Sequence, residues 1–168
     1  MKLIGCVLIV LGCAGCGLFG AFFYKTEIAL LHSLQIALQT MASQLKYKLM
    51  PLPVLLKEGA ATGKGIITGI LNELSAELDL QASPDVKTCM TVVLNRYSDL
   101  PNSVKTHLND LSYSLGKFDL NGQLDGLEYI IERISQSLTQ LEKENKSKIQ
   151  LARTLGLCSG IGIAIVLL

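Results

Sequence analysis

The sequence predicts an all-α protein, a small bundle of about five or six helices whose first and last helices are long and continue into terminal transmembrane segments. Three observations carry that expectation. Apolar residues recur at steps of three and four through the interior of the chain, whereas strand-like alternation is hard to find. Apart from Lys2, every charged side chain falls between Lys25 and Arg153. The composition, 168 residues with 49% hydrophobic, 17% charged and a net charge of +1, allows one domain. It lacks the basic surplus that nucleic acid requires and is too apolar for a disordered chain.

Residues 1–25 form the first expected element, a transmembrane helix. From Leu3 to Tyr24 there is no charge, and that length as a helix reaches about 33 Å at ~1.5 Å per residue, against a hydrocarbon core of roughly 30 Å. A charge at its centre would cost about 2.5 to 3.5 kcal/mol. Phe22, Phe23 and Tyr24 make an aromatic edge before Lys25. Lys2 followed by an apolar run is also how signal peptides open, and Cys13-Ala14-Gly15-Cys16 resembles a lipobox with Cys13 in the leucine place. Lipidation at Cys16 is therefore an alternative. It would leave an apolar start, Gly17 to Tyr24, where a polar tether is expected.

The other end, residues 154–168, is expected to be a second, short transmembrane helix. It is uncharged but shorter than the ~20 residues of a perpendicular span. If Arg153 snorkels, the helix can borrow Ile149, Leu151 and Ala152; a re-entrant or surface-bound tail is the other reading. Gly12, Cys16 and Gly20 recur on one face of the first segment, and Gly156 and Gly160 stand in the second, a spacing that lets helices pack closely in lipid. Lys146, Lys148 and Arg153 before the second segment, together with Lys25, favour a cytoplasmic middle, and Lys2 opposes it.

Residues 26–153 form the bundle domain. Leu31, Leu34, Leu38, Met41 and Leu45 extend the first helix to about Leu49, and Pro51 with Pro53 makes a stiff corner. A short helix runs from Pro53 to about Gly59, and Gly63-Lys64-Gly65 is a flexible joint. A third helix from about Ile66 to Leu80 aligns Ile67, Ile70, Leu71, Leu74 and Leu78. Ser83-Pro84 signals the next start, with Val86, Met90, Val93, Leu94 and Tyr97 on one side. Asp99-Leu100-Pro101 begins a helix that uses Val104, Leu108, Leu111 and Leu115 until Gly116 stops it. In the last helix Leu124, Leu127, Ile131, Ile134, Leu138 and Leu141 form a coiled-coil seam, after which Glu142 to Lys148 is a solvated stretch. Continued into the terminal segment it is a rod of about 68 Å at ~1.5 Å per residue.

No catalytic constellation stands out. Gly59 to Gly65 has glycines one residue too close for a phosphate-binding loop, and Gly65 replaces the magnesium-holding hydroxyl residue. His32 and His107 lack further ligands at metal spacing and read as polar-face residues. Asp119, Asp125, Glu128 and Glu132 read as caps and helix-surface charges, Glu128 or Glu132 lying near Arg133. Cys6, Cys13, Cys16 and Cys158 sit in the apolar ends, leaving Cys89 alone in the middle, where no disulfide can close. The expectation is a protein that is not an enzyme, takes no cofactor or metal, and binds neither nucleic acid nor a small-molecule substrate.

Several landmarks are shared with one family along essentially the whole chain. They are Met1-Lys2-Leu3-Ile4-Gly5, the stretch Leu34-Gln35-Ile36-Ala37-Leu38-Gln39, Tyr47-Lys48-Leu49-Met50-Pro51-Leu52-Pro53, and Leu115-Gly116 with Asp119 and Gln123. In order and spacing they resemble the stage III sporulation protein AB family of endospore-forming bacteria; Phe118 departs from the small polar residue expected before Asp119, and residues 60 to 110 match by pattern alone. The resemblance implies a component of the membrane complex that links mother cell and forespore during engulfment. It implies a soluble part similar to the cytoplasmic helical domain of the type II secretion and type IV pilus platform protein, and contact with the complex's ATPase, stage III sporulation protein AA.

The expected function is thus a non-enzymatic scaffold in the cell membrane, its central domain in the mother-cell cytoplasm. Pro51, Leu52, Pro53, Leu115, Gly116, Asp119 and Gln123 are expected to shape the domain and its interfaces. An outward-facing two-span sensory or ligand-binding bundle is the reading from another class.

Overall fold

The computed structural model describes the backbone of residues 2–48, 50–80, 85–115 and 119–167, and the side chains of 25–48, 50–80, 85–115, 119–147, 150 and 154. Among the described residues there are six α-helices and no strand: α1 (Lys2–Tyr47), α2 (Leu52–Thr62), α3 (Ile66–Asp79), α4 (Val86–Arg96), α5 (Asn102–Ser114) and α6 (Leu120–Leu167). They fall into two units. Ala29–Leu138 is the bundle; the other comprises Met1–Ile28 and Thr139–Leu168.

In the second unit the backbone continues α1 and α6 as helix. The side chains of the two expected membrane segments, residues 3–24 and 154–168, lie outside the described residues except for Thr154. Among the described residues, no helix is long and apolar enough to cross a membrane.

The bundle forms because each helix carries one apolar face. On α1 the expected residues Leu31, Leu34, Leu38, Met41 and Leu45 are all buried, with Ala37 beside them. Pro51 then adopts an extended conformation, φ −57° and ψ 144°, and its carbonyl accepts the first helical bond from the Leu55 amide at 3.0 Å. Pro53 sits in the first turn of α2, where a missing N–H loses nothing. The helix runs to Thr62, beyond the expected stop near Gly59. Gly59 is a contact residue: a Cβ there would meet Met41 Cγ at 2.7 Å. Its absence lets α2 approach α1.

Between α2 and α3, Gly65 takes φ +61°, a left-handed conformation natural to glycine. The expected flexible joint is nevertheless pinned. Ser33 Oγ on α1 accepts the Lys64 amide at 2.7 Å and donates to the Lys64 carbonyl at 3.1 Å.

On α3, Ile67, Ile70, Leu71 and Leu74 are buried, and on α4 Val86, Cys89, Met90, Val93 and Leu94. The helices pack in sequence, α2 on α3, α3 on α4 and α4 on α5. Ser83-Pro84, the expected start of α4, lies outside the described residues. Asp85 is the cap residue, and its carbonyl accepts the Thr88 and Cys89 amides. Tyr97 closes the helix from just outside it. Pro101 likewise precedes α5, its carbonyl taking the Lys105 amide at 3.1 Å.

The last helix departs from the expected seam. Leu127, Ile130, Ile134 and Leu138 are buried, whereas Leu124, Ile131 and Leu141 are half-buried. Steps of three, four and four follow the 3.6-residue turn of a straight helix in a bundle; a strict seven-residue seam requires supercoiling around one partner. Ile130 therefore replaces Ile131 in the core.

Candidate interaction surface

The residues expected to shape the domain lie at two helix junctions. At the first, Pro51 is exposed, and Leu52 and Pro53 are half-buried. The Pro53 carbonyl accepts the Ser75 hydroxyl of α3 at 2.8 Å, so the proline corner is tied to a third helix. At the second, Leu115 is buried in extended conformation after α5, its amide donating to the Leu111 carbonyl at 3.1 Å. Gly116 lies outside the described residues, as does Phe118. Asp119 caps α6 in the expected way: Oδ1 accepts the Gly122 amide at 3.1 Å, and its carbonyl accepts the Gln123 amide at 2.9 Å.

α5 meets the bundle part of α6 at Gly126, Arg133 and Ser137. Near the start of α6, a Cβ on Gly126 would stand 2.7 Å from Ser114 Cβ. Further along, Arg133 donates to Asp110 Oδ2 at 2.6 Å. This corrects the expected pairing with Glu128 or Glu132: residues five and one positions away on a helix do not face Arg133, whereas Asp110 does from the neighbouring helix. Beyond it, His107 Nε2 lies 3.2 Å from Ser137 Oγ. His107 is 5% exposed, which corrects its reading as a polar-face residue. It follows Val104 by three positions and precedes Leu111 by four, so helical phase turns it inward. Burial first, and then the Arg133 charge, push its pKa below the ordinary value.

A second polar cluster joins α3 to the end of α4. Tyr97 donates to Glu73 Oε1 at 2.6 Å, while Arg96 reaches Glu73 Oε2 at 3.1 Å and Glu77 Oε1 at 2.7 Å. Gly69 leaves room for the Tyr97 hydroxyl, which a Cβ would approach to 3.0 Å. The Tyr97 bond, the largest influence, lowers the Glu73 pKa; burial opposes it, and Arg96 adds to the lowering. In return the carboxylate raises the Tyr97 pKa.

The outward faces differ in character. On α6, Asp125, Glu128 and Glu132 are exposed. On α1 there is no Asp, Glu, Lys or Arg from Ile28 to Leu45, although Ala29, His32, Ile36, Gln39 and Ser43 are exposed, with Ile36 at 46%. Those five positions follow steps of three and four, so they line one side of the helix. A third patch crosses from α4 to α6. Lys87 lies 4.5 Å from the centre of the Tyr113 ring, Asp110 precedes Tyr113 by one helical turn and holds Arg133, and Arg133 lies 5.8 Å from the Tyr129 ring.

The chemistry-bearing motifs are absorbed into the fold. Gly59 is inside α2, and the Lys64 backbone is engaged by Ser33. Among the described residues no group of His, Cys, Asp and Glu could hold a metal ion. His107 and Ser137 have the residue types of a base and a nucleophile, but Nδ1 of the imidazole has no partner among the described residues to orient it. Cys89 is buried at 2% exposure. Ser33, Ser75 and His107 carry no motif, and their sole sequence signal is helical phase: Ser33 precedes Leu34, Ser75 follows Leu74, and His107 precedes Leu108.

Four short helices that lie in chain order between two long ones, with hydroxyl groups tying helix junctions to neighbouring helices, define an all-α bundle protein. The profile of the family stage III sporulation protein AB matches residues 2–168. The chain belongs to that family. A solved structure described as "Stage III sporulation protein AB (SpoIIIAB)" superposes with a TM-score of 0.62 at 20% identity, covering 72% of this chain and 97% of that one. At that identity the likeness speaks for the fold. No curated protein matches the chain.

Proposed function

We propose that this sporulation protein is a non-enzymatic, membrane-anchored scaffold of the secretion-like channel between mother cell and forespore, presenting its bundle to the complex's ATPase and neighbouring subunits. The observation that carries the reading is the uncharged outward face of α1. A helix face exposed to water ordinarily gathers charge, as α6 does with Asp125, Glu128 and Glu132. Depletion of charge is the compositional mark of an interface core, and Ile36 stands in the middle of this stretch. Membrane anchoring is supported by the uncharged run Leu3 to Tyr24, which continues without a break in the backbone of α1. The segment 154–168 serves as the second anchor, and the basic residues before it favour a cytoplasmic bundle.

The experiment is recovery of partners from sporulating cells with an affinity-tagged full chain. Ile36→Lys is expected to abolish co-recovery of the ATPase and other channel subunits, because an unpaired lysine at a desolvated interface costs more than the contact gains. The exposed site leaves folding intact, which circular dichroism checks. Unchanged recovery refutes the docking role of α1. Membrane anchoring is tested separately: it fails if the full chain remains in the supernatant after membranes are sedimented.

A further inference from the structure

His107 lies inside the α5–α6 contact with one nitrogen served and one not. Nε2 is 3.2 Å from Ser137 Oγ, and Nδ1 is buried with no partner among the described residues. An orphaned N–H is rarer and costlier than an orphaned lone pair. That assigns the tautomer in which Nε2 carries the hydrogen and donates to Ser137 while Nδ1 is bare. A second proton would have to sit on Nδ1, where no described residue accepts it. The charged groups acting on the ring are Arg133 of α6, which opposes that proton, and Asp110 on α5, which favours it more weakly. Asp110 is already held by Arg133 at 2.6 Å. Ser137 belongs to the last turn of α6 within the bundle, which ends at Leu138, and the apolar residues of that turn, Ile134 and Leu138, are buried.

We propose that the His107–Ser137 contact is an acid-sensitive latch that holds the final bundle turn of α6 against α5 and opens when the imidazole gains its second proton. The charged ring turns towards water, Ser137 loses its partner, and the turn from Ile134 to Leu138 separates from α5. The proton comes from solvent and returns to it, so the change is reversible. The sign follows from the depressed pKa of the folded state. The closed form is fully stabilised above the ordinary value of 6.5, and the stabilisation is lost as pH falls through that value towards the folded one.

Amide hydrogen exchange of residues 134–138, measured on the full chain in detergent and corrected for intrinsic rates, reads the latch directly. Between about pH 7.5 and about pH 5.5 the opening equilibrium is expected to rise by up to about tenfold per pH unit, the slope one proton permits. His107→Gln keeps a donor for Ser137 without a titrating group and is expected to abolish the pH response. His32→Gln, at the second of the two histidines, is expected to retain it. An imidazole titration of the wild-type chain by NMR should place the His107 midpoint below 6.5. A midpoint at or above that value, equal protection at both pH values, or a pH response surviving in His107→Gln overturns the proposal. Should His107→Gln fail to fold, the wild-type titration and exchange still decide.

Discussion

Replacing Gly126 by alanine sets two effects of opposite sign against each other. Alanine is favoured over glycine inside a helix by about 1 kcal/mol, so on an open face of α6 the substitution would stabilise the protein. At this position the new methyl would stand 2.7 Å from Ser114 Cβ and 2.8 Å from Ser114 Oγ, with Ser114 Cα at 3.7 Å. A Cβ is fixed to the backbone and cannot rotate away, so relief requires α5 and α6 to separate. Overpacking of this kind costs roughly 1 to 3 kcal/mol, and with contact at the root of the side chain the upper half of that range applies. The net expectation is a loss of about 1 to 2 kcal/mol, which in a domain of this size lowers the melting temperature by about 4 to 8 °C. Urea and thermal unfolding followed by circular dichroism measure it. The pair of revertants makes the test specific. Ser114→Gly in the Gly126→Ala background removes the opposing Cβ and should restore most of the loss, whereas Ser114→Ala keeps that atom and should restore little. If Gly126→Ala raises the melting temperature, the close α5–α6 approach is wrong.

Other contacts give sharp expectations. Ser33→Ala leaves the Lys64 amide and carbonyl without the hydroxyl that serves both; it should cost about 1 to 2 kcal/mol in urea unfolding and accelerate exchange of the Lys64 amide. Tyr97→Phe removes the bond that chiefly depresses Glu73, so the carboxyl should titrate closer to its ordinary value in an NMR experiment. Because a depressed carboxylate stabilises the fold above its unfolded pKa and loses that contribution as pH falls, the variant should also lose less stability on acidification below about 4.5. Lys57→Ala should change stability by less than about 0.5 kcal/mol, since the Lys57–Asp79 pair at 2.9 Å has both side chains at least half exposed.

Helical phase made most of the bundle readable. The inner residues of α1, α3, α4 and α5 follow the 3.6-residue repeat, and proline placement located the starts of α2 and α5. Misreadings arose where the decisive neighbour is distant in sequence. The sequence places the end of α2 near Gly59, whereas the helix runs to Thr62 and the role of Gly59 is set by Met41 on another helix. Arg133 was expected beside its own helix's carboxylates and is bound by Asp110. Among the expected interface residues, the Asp119 cap was legible because it acts three and four positions along its own chain. The tie from Pro53 to Ser75 was not, since a serine in an apolar phase has no motif.

By itself the sequence determined the all-α class, the confinement of charge between Lys25 and Arg153, and the family, because each depends on residue order or on neighbours within a turn. The tertiary structure decided that His107 is buried, that Ile130 and not Ile131 faces the core, and that the uncharged positions of α1 share an exposed face. Those outcomes depend on which helices surround a side chain, and the desolvation and close contact that fix them arise only when distant segments come together.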